Sequence, residues 1–197
     1  TFEFENDLTL IPPLISYFQR TVKGTGLFDD TDCLRVGVAL EEALMNAVYH
    51  GNLEVKSQLR EQNHRAYYDL AKQRMQEQPY SDRRVVVTAI ITRMDATYII
   101  RDAGPGFDPD ELPDPTDPAN LDRPFGRGLL LMHTFMDEVK YNDLGNVIIS
   151  PIFFLRPSNK LFGRDPDPNL PIKFACPKLI KIIQAKTGFC GNAKIQD

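Results

Sequence analysis

The chain has 197 residues, of which 42% are hydrophobic and 25% charged, and this ordinary composition excludes a disordered, collagen-like or disulfide-dense protein. No run of about 18 apolar residues occurs and the N-terminus carries no basic, apolar leader, so we expect neither a membrane span nor an export signal. The net charge of -4 argues against nucleic acid as a partner, and three cysteines without a C-x-x-C pair favour unpaired thiols in a reducing, cytoplasmic compartment.

The predicted elements begin with an edge strand and a helix. Aromatic and acidic residues alternate over residues 1–5, as in a strand at the edge of a sheet. The next segment carries an apolar side chain at every fourth position, which predicts a helix that ends near Gly24 and tolerates two prolines in its first turn. Its apolar positions are Leu10, Leu14, Phe18 and Val22.

A second helix is predicted to have its N-cap within residues 30–32 and to end at Gly51 and Asn52. Its apolar stripe consists of Val36, Leu40, Leu44, Ala47 and Val48. Residues 54–78 are almost wholly polar helix formers, so we expect a mostly exposed helix that covers little core and forms a solvated insertion. The thin apolar seam of this insertion is Leu59, Ala66, Leu70 and Met75.

The apolar period changes to two after residue 83, which predicts a hairpin. Residues 84–93 form its first strand, residues 94–96 its turn and residues 97–101 its second strand. A proline-rich loop over residues 103–125 precedes a third core helix, and a last hairpin spans residues 139–149. The third helix is expected to start at Gly126 and to bury Leu130, Leu131 and Phe135.

Three polar patterns are candidates for a binding site. Glu42, Asn46 and His50 are spaced four residues apart and therefore lie along one helix face. The run D-A-G-P-G at residues 102–106 follows a strand, where glycines let a flat ligand approach the backbone. The run G-R-G at residues 126–128 opens a helix, whose free N–H groups can bind phosphate. Each pattern also has a purely structural interpretation, as a helix face, a turn and a glycine-hinged helix start.

In this order, the three patterns resemble the N, G1 and G2 boxes of the ATP-binding domain shared by gyrase, MutL and sensor histidine kinases. Within that superfamily, E-E-A-L-M-N-A-V-Y-H-G and G-R-G-L-L-L-M look most like the stand-alone anti-sigma-factor serine kinases. The resemblance covers residues 1–149 and implies an α/β (α+β) two-layer sandwich of the Bergerat type. Helices would cover one face of a mixed, mostly antiparallel sheet, and residues 107–125 would form the ATP lid.

The resemblance also implies a role for each matching residue, with ATP and Mg²⁺ as the cofactors. Asp102 would accept a hydrogen bond from the adenine amino group, which guanine lacks, and Gly104 and Gly106 would let the backbone pass the base. Asn46 would offer an amide oxygen to Mg²⁺. Glu42 would be the general base that activates a serine hydroxyl or a water. The predicted phosphate-binding residues are Gly126, Arg127 and Gly128.

The function implied by the resemblance is that of a protein-serine kinase in a partner switch. Such a protein binds a sigma factor or similar regulator, phosphorylates an antagonist protein on serine, and by family analogy forms a homodimer. One alternative is a non-catalytic, ATP-dependent interaction module with the same binding residues. The other is the catalytic domain of a sensor histidine kinase, although none of His50, His64 and His133 is followed by the acidic residue usual after a phosphoacceptor histidine. For His50, capping of its helix is a simpler role than phosphate contact.

The segment 150–197 matches no part of this family. It holds eight Lys or Arg against three Asp or Glu, whereas residues 1–149 hold 15 basic and 24 acidic residues. Its phenylalanines distinguish it from a simple hydrophilic tail. It is therefore either an arm that packs on the domain and binds a partner, or sequence foreign to the family, as a change of reading frame near residue 147 would produce.

Overall fold

A computed structural model describes residues 1–26, 28–92, 95–109 and 127–153. The strands in these residues are β1 (Phe2–Phe4), β2 (Val85–Ile91), β3 (Asp95–Arg101), β4 (Lys140–Tyr141) and β5 (Val147–Phe153). The α-helices are α1 (Ile11–Gly24), α2 (Asp30–Asn46), α3 (Ser57–Gln62), α4 (His64–Arg74) and α5 (Arg127–Phe135). A π-helical turn (Ala47–Asn52) continues α2, and short 3-10 helices cover Leu8–Leu10 and Tyr80–Asp82.

The strands form one sheet in the order β1-β2-β3-β5-β4, and every pairing between them is antiparallel. Buried and less buried side chains alternate along β3, as expected for a strand with one face on a core. The predicted two-layer α+β class is confirmed, with a sheet that is antiparallel throughout its described strands instead of mixed. The predicted edge strand is confirmed too, because β2 is the single partner of β1 among the strands that the structure describes.

The core lies between the sheet and α1, α2 and α5. The central helix α2 packs between α1 and α5, and all five residues of its predicted apolar stripe are buried. The aromatic rings of Phe18 and Tyr98 meet edge to face, with centroids 5.3 Å apart, and so join α1 to β3. The helix layer and the sheet thus share a single hydrophobic cluster.

The N-cap of α2 is Asp29, one residue before the predicted range. Its carboxylate oxygen Oδ1 accepts a hydrogen bond from the backbone N–H of Asp32 at 2.7 Å. Asp30 and Asp32 instead occupy the first helical turn, where negative charge is favourable beside the positive end of the helix dipole. The sequence offers several acidic residues in succession at this point, and only the backbone conformation selects the one that caps.

The polar segment 54–78 is mostly exposed, as predicted, but it forms two helices and contributes to the core. Asn63 divides it into α3 and α4, and caps α4 by accepting a hydrogen bond from the N–H of Ala66 at 3.0 Å. The buried residues are Val55, Tyr67 and Ala71, whereas the predicted seam is only half-buried. The aromatic ring of Tyr67 packs 5.3 Å from that of Tyr49 in the π-helical turn. The segment therefore completes the core at the C-terminal end of α2.

In the second half of the chain, the start of β3 and the buried face of α5 differ from the predictions. Asp95 and Ala96 are the first residues of β3 instead of part of the turn, because the backbone N–H of Thr92 donates to the Asp95 carbonyl and closes the hairpin earlier. In α5 the buried side chains on the core side are those of Met132 and, just past its end, Met136. The predicted core residues of this helix, Leu130, Leu131 and Phe135, are half-buried.

The last predicted hairpin is present as β4 and β5, and β5 extends beyond the predicted strand end to Phe153. Most of the predicted lid, residues 110–125, lies outside the described residues, as do residues 154–197 of the atypical tail. Cys33 is a buried free thiol. Among the described residues, no helix combines the length and apolarity needed to cross a bilayer.

Truncating the core side of α2 should destabilise the protein. Leu44 has 0% exposure, so Leu44→Ala should lower the free energy of unfolding by about 2–5 kcal/mol through lost burial and a cavity. Leu34 on the same helix is 63% exposed, and Leu34→Ala should change that free energy by less than about 0.5 kcal/mol. Urea unfolding followed by circular dichroism measures both values, and equal losses would contradict the orientation of α2.

Candidate functional site

The first half of the site is the polar face of α2. Glu42 and Asn46 are both half-buried and lie one helical turn apart. The N-terminal turn of α5 passes directly over Glu42, since a Cβ added to Gly128 would overlap its carboxylate oxygen Oε2. The structure therefore brings Glu42 and Gly128 into contact although they are far apart in the sequence.

The environment of Glu42 makes its carboxylate more basic than an ordinary surface carboxylate. Burial raises the pKa of the Glu42 carboxyl, and the neighbouring charge of Glu41 raises it further. The guanidinium of Arg60, on α3, acts in the opposite direction. A carboxylate with a raised pKa is a stronger base than an ordinary surface carboxylate. Its predicted role as a general base is therefore chemically reasonable at this position.

Asp102 forms the second half of the site, immediately after β3. Its carboxylate oxygen Oδ1 accepts a hydrogen bond from the N–H of Gly104 at 2.9 Å, and its own N–H donates to the Asn146 carbonyl at 3.1 Å. Its carboxyl group also packs on the backbone of Gly51, where an added Cβ would overlap it. Burial is the main cause that raises the pKa of Asp102 to about 6. This carboxyl is thus held in place by the Gly104 N–H at Oδ1 and by the Gly51 backbone.

The glycines predicted to accommodate a base are also required by the protein itself. A Cβ on Gly104 would overlap the carbonyl oxygen of Gly51, and one on Gly106 would overlap the carbonyl oxygen of Leu144. Gly106 has a positive φ of 78°, and the next N–H, that of Phe107, donates to the same Leu144 carbonyl at 3.0 Å. Both glycines therefore allow backbone segments to meet, which explains them without reference to any ligand.

A buried chain of amides, which sequence reasoning missed, supports the Asp102 loop. Asn52 accepts a hydrogen bond from the N–H of Ala103 at 2.7 Å and donates to the side-chain oxygen of Asn6 at 2.8 Å. The amide of Asn6 in turn donates to the carbonyl of Tyr80 at 2.9 Å. Asn52 is 0% and Asn6 6% exposed. Because these partners are distant in sequence, no local motif could have revealed them.

Two arginines hold the chain where the π-helical turn ends. Arg74 donates to the carbonyls of Leu53 and Glu54 at 2.7 and 2.9 Å. Arg83 donates to the Asn52 carbonyl at 2.7 Å and forms an ion pair with the Glu54 carboxylate at 2.7 Å. Carbonyls at a helix C-terminus lack partners within the helix, so cations at this end are favourable. Both arginines thereby fix the backbone that directly follows Gly51, the residue on which the Asp102 carboxyl packs.

The other residues predicted near the site are Gly126, Arg127 and His50. Gly126 lies outside the described residues, and Arg127 is described only as the first residue of α5, without its side chain. The ring nitrogen Nδ1 of His50 lies 2.6 Å from the Val55 carbonyl oxygen. His50 lies in the last turn of the π-helical segment, which is the predicted position at the helix C-terminus, and its ring bonds to the chain that follows the turn.

A comparison with protein-family models matches residues 4–150 to the histidine kinase-like ATPase domain. No curated protein matches the sequence. The matched range contains both halves of the site, at Glu42 on α2 and at Asp102 after β3.

The close approach of the two backbones at Gly104 should make this position intolerant of a side chain. Gly104→Ala would force a Cβ into the Gly51 carbonyl, so the free energy of unfolding should fall by about 1–3 kcal/mol. Gly24→Ala is the control, because an added Cβ there meets no atom within 4 Å. Chemical unfolding of both variants tests this, and a Gly104→Ala protein as stable as Gly24→Ala would contradict the contact.

The buried carboxyl of Asp102 should make stability depend on pH in a defined window. Its pKa is about 6 in the folded protein against an ordinary 3.8, so the folded state binds more protons between these values and loses stability as the pH rises through them. Asp102→Asn removes this ionisation and can still accept the Gly104 bond. The variant should therefore gain thermal stability over the wild type as the pH increases from about 4 to 7. Melting temperatures across this range measure it; a difference independent of pH would contradict the burial of an ionised Asp102.

Proposed function

Because the chain belongs to the histidine kinase-like ATPase domain family, whose members bind ATP, we propose that it is a protein-serine kinase of the anti-sigma-factor type. It would transfer the γ-phosphate of ATP to a serine of an antagonist protein. The observation that carries this proposal is Glu42, a half-buried carboxylate with a raised pKa, one turn before Asn46 and in contact with the start of α5.

The dimensions of the site fit a nucleotide that lies along the end of α2. Asp102 contacts Gly51, and Gly128 contacts Glu42. Glu42 and Gly51 are nine residues apart, which corresponds to about 13 Å along a helix. A base at Asp102 and a terminal phosphate near Glu42 and Gly128 would therefore be separated by a length comparable with extended ATP.

Asp102 would select the base. Its Oδ1 is already engaged by the Gly104 N–H, so Oδ2 would accept a hydrogen bond from the amino group of adenine. Guanine presents a carbonyl oxygen at the same position, and two acceptors cannot bond to each other. The ionised form of Asp102 is the one that accepts this bond, and its burial strengthens the discrimination.

At the other end, the side-chain oxygen of Asn46 would be the protein ligand for Mg²⁺, which prefers oxygen ligands. When bound, this ion would supply positive charge that offsets the charge of the triphosphate. The first turn of α5 lies against Glu42 at Gly128, and its backbone N–H groups would bind phosphate oxygens. Gly128 permits that turn to approach, because a larger residue would displace Glu42.

Glu42 would act in the transfer itself. The serine oxygen attacks the γ-phosphorus while the bond from that phosphorus to the bridging oxygen of ADP breaks, and Glu42 takes the proton of the serine hydroxyl. With water as acceptor the same steps release inorganic phosphate. The partner proteins are proposed from the resemblance alone: a sigma factor or similar regulator would be bound, and its antagonist would be the acceptor.

This proposal is tested by separating nucleotide binding from phosphoryl transfer. Glu42→Gln keeps the size of the side chain and removes the base, so transfer from γ-labelled ATP to a purified antagonist protein, or to water, should slow by about 10²–10⁴-fold. The affinity for ATP with Mg²⁺, measured by calorimetry, should remain within about twofold. Glu41→Gln is the matched control, since Glu41 is exposed and points about 100° away on the helix. It should leave the affinity for ATP within about twofold. It should slow transfer far less than Glu42→Gln does, because it removes only a charge that raises the pKa of the base and not the base itself.

The outcomes distinguish the possible functions. Binding of ATP without transfer to any acceptor above the Glu42→Gln level would favour a non-catalytic interaction module. An acid-labile phosphate on a histidine of this chain would favour a sensor histidine kinase. Failure of the wild-type chain to bind ATP would contradict the proposal as a whole.

A further inference from the structure

We propose that Asn52 and Asn6 are positioning residues for base recognition, which hold the Ala103 backbone so that Asp102 presents Oδ2 to adenine. This inference rests on the proposed binding of ATP and adds two residues to its specificity. Neither asparagine would touch the nucleotide. Both would act through the backbone on the C-terminal side of Asp102.

The two peptide groups that flank Asp102 are both held by hydrogen bonds. The N–H of Asp102 is bonded to the carbonyl of Asn146, and the N–H of the next residue, Ala103, is bonded to Oδ1 of Asn52 at 2.7 Å. A residue whose flanking peptide groups are both held has little freedom in φ and ψ, and its side chain therefore starts from a fixed direction. The Gly51 backbone limits the carboxyl further by contact.

Asn6 determines which end of the Asn52 amide faces Ala103. An asparagine amide can present either its oxygen or its NH₂ group to a neighbour, and the hydrogen-bond network selects one. Here the NH₂ group of Asn52 donates to Oδ1 of Asn6, and Asn6 donates onward to the Tyr80 carbonyl. The Asn52 oxygen is therefore left to accept from Ala103. Arg83, which binds the Asn52 carbonyl at 2.7 Å, fixes the backbone from which this amide extends.

Because the two asparagines are buried, the loss of one of these hydrogen bonds should cost more free energy than the loss of one at the surface. Asn52 and Asn6 have exposures of 0% and 6%, and a buried amide is unfavourable unless its hydrogen bonds are made. Apolar side chains could fill the same space without that penalty, but they could not bind the Ala103 N–H. The chain of amides ends at the residue next to Asp102, so its effect should be largest on recognition of the base.

The test compares ATP with inosine triphosphate, which carries the same triphosphate but has a carbonyl oxygen in place of the adenine amino group. In calorimetric titrations with Mg²⁺, the full wild-type chain should prefer ATP by about tenfold or more. Asn52→Ala should weaken ATP binding by about tenfold and inosine triphosphate binding by less than about twofold, so that the preference is lost. A purely structural role would weaken both nucleotides equally.

Three further variants keep the test decisive. Asn52→Asp retains an oxygen for the Ala103 N–H and should keep the preference for ATP within about threefold of the wild type, even with reduced stability. Asn6→Ala, which leaves the Asn52 acceptor in place but releases its orientation, should reduce the preference by about threefold and serves if Asn52→Ala does not fold. Asn63→Ala is the matched control, because it removes a side-chain bond to the backbone at the α4 N-cap, away from Asp102.

The results separate this inference from the function on which it rests. A wild-type chain that prefers ATP, with the same preference in Asn52→Ala and Asn6→Ala, overturns the positioning role alone. A change in preference in Asn63→Ala as large as that in Asn52→Ala also overturns it, because general destabilisation would then be sufficient. A wild-type chain that binds neither nucleotide overturns both proposals.

Discussion

The site depends on the contact between the end of the α2 helical segment and the residues that follow β3. Gly51 and Gly104 bring two backbones so close that a Cβ on either would overlap protein atoms, and the Asp102 carboxyl lies between them. The helix layer and the sheet are joined at this point by polar backbone contacts in addition to apolar packing. Any displacement of the end of α2 would therefore move Asp102 as well. The geometry of the site is accordingly a property of how the two layers meet.

The polar segment between α2 and β2 supports this junction. Arg74, from α4, and Arg83, just before β2, bind three consecutive carbonyls at residues 52–54. The guanidinium groups of both arginines also lie within 5.0 Å of the Tyr80 ring centroid. Cation–π contacts with a ring and charge-assisted hydrogen bonds to carbonyls are both strong for partly buried arginine. The polar segment between α2 and β2, whose composition predicts little contribution to the core, thus stabilises the backbone next to the residue that Asp102 contacts.

The parts of the fold that could be predicted from the sequence are those set by local periodicity. The edge strand, α1, the buried stripe of α2 and the two hairpins follow from apolar spacing alone, which depends on near neighbours. The buried face of α5 was misassigned because all of its apolar positions look equivalent until α2 is in place. Asp29 was missed as the N-cap of α2 because several neighbouring residues have the same capping chemistry.

For the site, the sequence indicated Glu42, Asn46 and Asp102 through motifs, and their roles remain predictions. It did not indicate Asn6 and Asn52, whose bonds join residues 46 and 51 positions apart. A weak signal was available at Gly51, since a glycine that extends a helical pattern is unfavourable unless packing requires it. Only the assembled layers show that the Asp102 carboxyl is the group that requires it.

Asp102 contacts Gly51, about 13 Å along the helical segment from Glu42, and this separation has a consequence for nucleotide exchange. A base-reading group so far from the phosphate end would bind the adenine of ATP and of ADP in the same way. Discrimination between the two nucleotides would then rest entirely on the region around Glu42, Asn46 and Gly128. After a transfer, ADP would stay bound through its adenine at Asp102 until another nucleotide displaces it. ADP would therefore compete with ATP for the site, and only contacts at the phosphate end would decide which of the two is bound more tightly.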